Sequence, residues 1–526
     1  MKATRREFLK KATAVSLLAA APAVVSETEN PGSLQSRISK AALDLGLPGF
    51  VAGVVRDGRL DMVQAEGFAD LEKRTPMARD HIFYVASLTK TFTAVMMMQY
   101  VQEKKISLDD YVLDYPFLFV GLTPNRLLTP DIRLKHFLSH TSEGTPGDNF
   151  VYNGNRYNFV YGVFEAISGN THHYEACAQE FNKRIAAPLD LKSTLSGYPT
   201  DRTDPRIPRI VTTYLLDKTH TKPAIDTSAP GATTHFPATG LLTTVDDLAK
   251  YVTALDQMTL LTQESYSAMT QPFTLNDGRK SPYGLGWSTQ VIGGQPVHWA
   301  YGYGDSYAAL LIRIPGRKTS FILLCNCGAA SSPFLLGYGN LLTSPFAVAF
   351  LRDALPGVIR DSDDAYAQAF LQHFTTALAG SSSDAPRRLL AQLNAVDPAR
   401  FRRSDRSLIY LLSELSGPSL DQEMESLVKA FDLSGDFHPE VELAIAGFYQ
   451  RQGAQDRYVA RLHRIADTPG YGEERSTREA CTRLGTALLE QGQEIGRKYL
   501  WMAVEYGQIV GSTEESQQGI IAKMRH

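Results

Sequence analysis

Phe83-Tyr84-Val85-Ala86-Ser87-Leu88-Thr89-Lys90 is the stretch on which the reading turns. From Ser87 onward, Leu88, Phe92, Val95, Met96 and Val101 recur with helical spacing, which predicts a buried helix. Residues three apart share a helix face, so the Lys90 amine reaches the Ser87 hydroxyl. A serine hydroxyl is a poor nucleophile until a neighbouring base takes its proton. A desolvated lysine with a lowered pKa is such a base. The pattern alone is weak, because Ser426-Leu427-Val428-Lys429 repeats it downstream, where it reads as an ordinary helix face. Met96 to Met98 read as core packing, not as a metal site.

Working outward, Leu34 to Leu45 carries a helical pattern and Gly49 to Arg56 reads as an apolar strand. Asp57-Gly58 then predicts a hairpin, since a type I′ turn needs positive φ at both central residues, and Leu60 to Phe68 returns as the partner strand. A middle region of helices and loops runs from about Leu108 to Leu261. Strand signals resume at Ser281 to Val291, Tyr307 to Ile314 and Thr319 to Asn326. The order of strands, helices and strands predicts an α/β (α+β) fold, with a mostly antiparallel sheet assembled from both ends of the region and flanked by helices. Beyond Pro356-Gly357 no strand signal appears, which predicts an all-α C-terminal domain broken at Gly380 to Ser383, Gly417-Pro418 and Pro469-Gly470. Ala480 to Gly485, Gly492 and Tyr499 to Ala503 resemble a tetratricopeptide or Sel1-type repeat, with a weaker echo at Leu443 to Gly453. Two imperfect units leave a plain helical bundle equally open.

The residues from Pro48 to Thr93 resemble the opening of the serine β-lactamase-like family, which includes class C β-lactamases, low-molecular-weight penicillin-binding proteins and family VIII esterases. The matching pieces are Asp57-Gly58, Gly67 to Glu72, Thr75-Pro76, Phe83 and Ala86 to Lys90. Further pieces follow in order: Leu138 to Ser142, Glu165 to Gly169, Thr239 to Thr244 and Tyr283 to Trp287. The resemblance covers about residues 34–352, and ordered matches are more specific than any one motif. It implies a β-lactamase/transpeptidase-like fold with a helical subdomain, and a serine at a helix N-terminus.

The resemblance also implies a Tyr-x-Asn element, which Tyr152-Asn153-Gly154 matches at the tyrosine only. Asn153 or Asn155 is the expected substitute for the missing asparagine, and Tyr157 is a rival for the tyrosine role. The family's Lys/His-x-Gly strand is matched by His298-Trp299-Ala300, with Tyr301 next and Gly304 as the following glycine. On that register the N–H groups of Ser87 and Tyr301 form the oxyanion hole, His298 stands beside the hydroxyl, and Ala300 and Trp299 line the substrate strand.

The implied chemistry is an acyl-enzyme hydrolase of esters or amides, an esterase or a D-amino-acid or cell-wall peptidase. Ser87 is the expected nucleophile, Lys90 its base and Tyr152 the proton carrier. The alternative is a penicillin-binding-like sensor or binding protein with a weakened site, using its helical tail to hold a protein partner. Neither reading calls for a cofactor or metal: His172-His173 lacks ligand spacing and no Cys-x-x-Cys occurs.

In 526 residues, 53 Lys plus Arg against 56 Asp plus Glu leave a net charge of −3, which excludes a nucleic-acid binder working by bulk charge. Four scattered cysteines exclude a disulfide framework, and Cys325 and Cys327 read as buried small hydrophobes. The start, Thr4-Arg5-Arg6-Glu7-Phe8-Leu9-Lys10, precedes an apolar run from Ala12 to Val25. That run is short of a membrane span and ends in small residues. It predicts a twin-arginine signal over residues 1–26 and a periplasmic or secreted protein with no membrane span. The expected divisions are 1–26, a hydrolase domain over 27–355 and a helical domain over 356–526.

Overall fold

The structure, a computed structural model, describes residues 32–116, 131–228, 234–380, 384–415, 420–468, 474–509 and 520. The first element is helix α1, Leu34–Leu45, which starts where the Ser33 hydroxyl accepts from the Ser36 N–H and ends at Gly46, whose φ of 67° suits a residue without a Cβ. Strands β1 (Gly49–Arg56) and β2 (Arg59–Asp70) follow as an antiparallel hairpin. Asp57 and Gly58 both take positive φ, as the turn chemistry predicts. After β3 (Thr75–Pro76) the chain leaves the sheet, then returns as β4 (Ser288–Ile292), β5 (Gln295–Gly304), β6 (Tyr307–Ile314) and β7 (Thr319–Cys325). Among the described residues these form one seven-stranded antiparallel sheet, ordered β3-β2-β1-β7-β6-β5-β4. Its middle pairing joins β1 to β7, the two ends of the strand-bearing region.

Both faces of the sheet are covered. On β1, Val51 and Val55 face one way, with Leu311 of β6 and Leu324 of β7, against α2 (Thr89–Gln102) and α3 (Val245–Asp256). Ala52 and Val54 face the other way, with Leu310, Phe321 and Trp299, against α1 and α4 (Pro345–Ala354). Two-sided burial removes the polar alternation of a half-exposed strand, which is why β1 and β7 read as continuous apolar runs. The expected strand from Ser281 is shorter in the structure, because Gly286 at φ 78° turns the chain before Ser288.

Among the described residues the C-terminal part is built of helices and their connections, with no strand: α5 (Asp361–Leu378), α6 (Ala385–Val396), α7 (Arg406–Leu415), α8 (Asp421–Leu433), α9 (Pro439–Arg451), α10 (Gln455–Ala466), α11 (Glu474–Glu490) and α12 (Gly496–Ile509). The α9–α10 and α11–α12 neighbours pack as pairs, and Gly485 and Gly496 let the last two backbones touch. The apolar core does not break at residue 355: Phe346 and Phe350 of α4 share one buried cluster with Tyr366, Phe370 and Leu408.

Candidate active site

The short strand Phe83–Tyr84 pairs with Leu241–Thr243, and the chain then turns sharply into a 3₁₀ turn over Ala86–Leu88 that runs straight into α2. Ala86 takes φ 41°, a left-handed conformation that an alanine adopts only under constraint, and this kink sets Ser87 at the mouth of the helix. One turn on, Lys90 is 1% exposed and its Nζ donates to Ser87 Oγ at 2.7 Å and to the Ala238 carbonyl at 3.3 Å. Burial disfavours the ammonium form and lowers the Lys90 pKa to about 7. The downstream copy has none of this, since Ser426 and Lys429 lie exposed on α8.

Tyr152 closes the group. Burial, the larger effect, pushes the pKa of its phenol up to about 12, while the Ser87 and Tyr301 side chains beside it draw that value down. The Lys90 ammonium stands 5.0 Å from the centre of the Tyr152 ring. Tyr301, on β5, packs its ring 5.3 Å from that of Tyr152. Ser87, Lys90, Tyr152 and Tyr301 therefore meet at one point.

The expected asparagine substitutes do not join them. Asn153 is buried as a helix cap: its Oδ1 accepts from the N–H groups of Asn155 and Arg156, and its Nδ2 donates to Glu143 at 2.6 Å. Asn155 is exposed. Gly154 is the residue that faces the lysine, and a Cβ there would stand 3.5 Å from Lys90 Nζ. Tyr157 is not a rival for Tyr152, because its hydroxyl donates to the Lys90 carbonyl and braces α2.

The register on β5 also needs correction. A Cβ on Gly302 would lie 2.1 Å from the Val85 carbonyl oxygen, so this glycine marks where the strand crosses the Ser87 turn. The residues that stand beside the Ser87 turn are thus Ala300-Tyr301-Gly302, two residues on from His298-Trp299-Ala300. His298 lies elsewhere: its Nδ1 is 3.1 Å from the Tyr266 hydroxyl, which in turn accepts from Arg313 at 2.7 Å. Burial and the neighbouring Arg313 hold His298 down at about 4, so it is neutral. Trp299 is fully buried in the core and lines no substrate strand.

Two hairpins fix the direction of the β5 amides. Ile292 and Gln295 flank one two-residue turn, and Gly304 and Tyr307 flank another. Such flanking pairs are hydrogen-bonded to each other, and amide direction alternates along a strand. Counting from either end, Tyr301 and Tyr303 turn their N–H groups away from β6. The pairing with β4 ends at Trp299, so these two amides point off the open edge that the Ser87 turn packs against.

His140 is the residue that motif reading undervalued. It sits at φ 55°, its Nδ1 accepts from the Asn153 N–H at 3.1 Å, and its ring lies 4.3 Å from that of Tyr152. It positions the Tyr152 loop, and burial keeps it neutral. Its signal was present in Leu138 to Ser142, but only the fold tells which neighbour a buried histidine serves. Among the described residues no group of metal-binding side chains occurs, and no helix is long and apolar enough to cross a membrane.

The Beta-lactamase family profile matches residues 34–337, more than half of the chain and all four residues of the cluster. The chain belongs to the beta-lactamase family. This is a family of serine hydrolases, and D-aminopeptidases are among the relatives. A D-aminopeptidase of Brucella anthropi is 25% identical over 286 residues, covering 47% of this chain and 50% of that one. Protein flp of Staphylococcus aureus (strain MW2) is 22% identical over 321 residues, covering 56% and 62%. The chain thus spans 50% to 62% of the length of these curated relatives. Among solved structures, the octameric penicillin-binding protein homologue from Pyrococcus abyssi superposes with a TM-score of 0.49 at 21% identity, over 63% of this chain and 81% of that one. The D-amino acid amidase from Ochrobactrum anthropi SV3 gives 0.46 at 19% identity, over 56% and 90%.

Proposed function

We propose that the protein is a serine hydrolase that cleaves an ester or amide through an acyl-enzyme on Ser87. The observation that carries this is the single connected chain from Lys90 through Ser87 to Tyr152, buried at the lysine end. Relative magnitudes assign the roles. With Lys90 lowered to about 7 and Tyr152 raised to about 12, the amine is the group that can shed its proton near neutral pH, and the phenol keeps its own. Lys90 accepts the Ser87 proton as Oγ attacks the carbonyl carbon. The Tyr152 phenol gives its proton to the departing oxygen or nitrogen and regains one from Lys90. Water then attacks the acyl-enzyme with the same groups in reverse.

The oxyanion is held by the Ser87 N–H and, on the corrected register, by the outward N–H of Tyr303, the residue that follows the glycine of the triplet. Each such donor contributes about 2.7–4 kcal/mol to the transition state. The D-aminopeptidase and amidase relatives favour an amide or peptide substrate, and the open third position at Gly154 favours an ester; the acyl-enzyme route is common to both. A fluorophosphonate probe should label Ser87 in the wild type and leave Ser87→Ala unlabelled with its thermal midpoint little changed. Labelling of Ser87→Ala at wild-type rate would reject the assignment.

We further propose that the Arg5-Arg6 start sends the folded chain out of the cytoplasm, with cleavage near residues 23–26. Residues 1–31 lie outside the described ones. Replacing both arginines with lysine should leave the precursor in the cytoplasm, and unchanged export would reject this route.

A further inference from the structure

We infer that the C-terminal helices are part of the catalytic apparatus, with Arg406 of α7 the positioning residue that holds the Tyr152 loop onto Ser87. This rests on the acyl-enzyme reading only for its activity arm. Arg406 is 8% exposed and divides its guanidinium among the Asp436 carboxylate, the Phe437 carbonyl oxygen of the same helical part, and the Phe150 carbonyl oxygen. Its Nε donates to Asp436 Oδ2 at 2.8 Å, an ion pair that lies within the helical part. Its Nη1 donates to the Phe150 carbonyl oxygen at 2.9 Å, 256 residues away in sequence and two residues before Tyr152. The guanidinium carbon also stands 5.5 Å from the Phe150 ring centre.

From Phe150 the path to the nucleophile is short and made of packed groups. The Phe150 ring stacks on Tyr283 at 5.7 Å, and Tyr283 meets the ring of Tyr152 edge-on. Val151 donates its N–H to the His140 carbonyl, and His140 fixes the Asn153 amide. Tyr152 is thus held on both sides by backbone bonds, one of which depends on Phe150 staying where Arg406 holds it. A buried carbonyl accepting from a charged donor is a strong contact, and leaving it unmade costs its full desolvation.

A second strut acts on the other tyrosine. Tyr338 donates to Glu440, in the first turn of α9, at 2.5 Å. Its neighbour Gly337 lies against the active site, where a Cβ would come 2.7 Å from the Tyr301 hydroxyl. The segment over Tyr301 is therefore anchored to the same helices as the Tyr152 loop. Two independent bonds from one helical layer thus brace the segment that carries Tyr152 and the segment that lies over Tyr301.

The test uses the full chain with Arg406→Lys, which keeps the charge opposite Asp436 but loses the fork that reaches Phe150. Tyr338→Phe, which removes one hydroxyl, serves as the milder second variant. Arg461→Lys is the control, because Arg461 is as buried and is paired with Asp432 and Glu442, away from Phe150. Hydrogen exchange across residues 140–157 should quicken in Arg406→Lys and not in Arg461→Lys. For a p-nitrophenyl ester, kcat should fall about tenfold or more with KM little changed, since a small misplacement of a catalytic group is costly. Unchanged exchange over 140–157 in Arg406→Lys overturns the inference whatever the activity. So does a kcat that tracks the thermal midpoint equally in the two lysine variants. A wild type that exchanges as expected but neither turns over nor takes the fluorophosphonate label would instead sink the hydrolase reading and leave the strut standing.

Discussion

Gly302 on β5 and Val85 ahead of the nucleophile touch so closely that no side chain fits between them: a Cβ on the glycine would stand 2.1 Å from the Val85 oxygen. Real carbon–oxygen contacts do not come that near, so the strand and the Ser87 turn are in register only while position 302 is glycine. Gly302→Ala should therefore push β5 away from Ser87 and widen the oxyanion site. A loss of about 100-fold in the rate of Ser87 acylation is expected, with less effect on the sheet pairing beneath. Pre-steady-state acylation at wild-type rate in this variant would show that the crossing does not set the site.

That crossing also explains what could and could not be read from the residues. The Ser87–Lys90 pair follows from helix geometry, and the Asp57-Gly58 hairpin from turn chemistry, so both were legible. The β5 register was not, because His298-Trp299-Ala300 and Ala300-Tyr301-Gly302 differ by two residues and present the same faces. Choosing between them needs the contact with Val85, which is long-range. The asparagine substitutes failed for a related reason. Asn153 looked free to turn inward, whereas its side chain is consumed by the cap of Gly154–Tyr157 and by Glu143. The tail read correctly as helix, but a helical pattern does not tell which surface it covers.

The lowered pKa of Lys90 makes a prediction for stability as well as for rate. Its folded value, about 7, lies below its unfolded value, so between these two the unfolded chain binds the extra proton. Stability should therefore rise with pH from about 7 towards 10, and the penalty for burying the amine is greatest below 7. Lys90→Met removes that penalty. The variant should be inactive yet more stable than wild type at pH 6, with the gap in thermal midpoint closing at pH 9. A gap that widens with pH would mean that the lysine is not desolvated in the folded state.

Gly154 offers a separate handle on the same amine. A Cβ there is in ordinary contact with Lys90 Nζ, so Gly154→Ala should be tolerated. Gly154→Asn would bring an amide oxygen to the ammonium and favour its charged form. The acidic limb of the kcat/KM profile should then move above 7, and turnover at pH 7 should fall while turnover at pH 9 holds. An unmoved limb would show that position 154 does not act on the lysine.

Truncation tests how far the helical part can be separated. A chain ending at Leu355 would strip the neighbours from Phe346 and Phe350, which share a buried cluster with Tyr366 and Phe370. Each such side chain left in water forfeits about 1.5–3 kcal/mol. The 27–355 fragment should therefore be insoluble or melt well below the full chain. A fragment that folds cooperatively at the full chain's midpoint would refute this.

Substrate class follows from three positions taken together: Ala300, Tyr301 and Gly154. With Ala300-Tyr301-Gly302 as the triplet beside Ser87, the family resemblance implies a lysine or histidine at the position of Ala300, a small hydroxyl residue at that of Tyr301, and an asparagine at that of Gly154. The first loss removes a cation that would face a substrate carboxylate. The second replaces a free hydroxyl with a phenol packed against Tyr152, ring centres 5.3 Å apart. The third removes an amide that would bind an acylamino side chain. A polar substrate group desolvated without its partner is rejected far more strongly than a missing methylene, because the unmade hydrogen bond is lost in full. β-Lactams carry both a carboxylate and an acylamino group, whereas a short neutral ester carries neither and has a leaving group that departs readily. Short-acyl p-nitrophenyl esters should thus be turned over easily and nitrocefin poorly, and neutral D-amino-acid amides should outpace their counterparts bearing a free carboxylate. A kcat/KM for nitrocefin equal to that of the best ester would mean that some other group supplies the missing contacts.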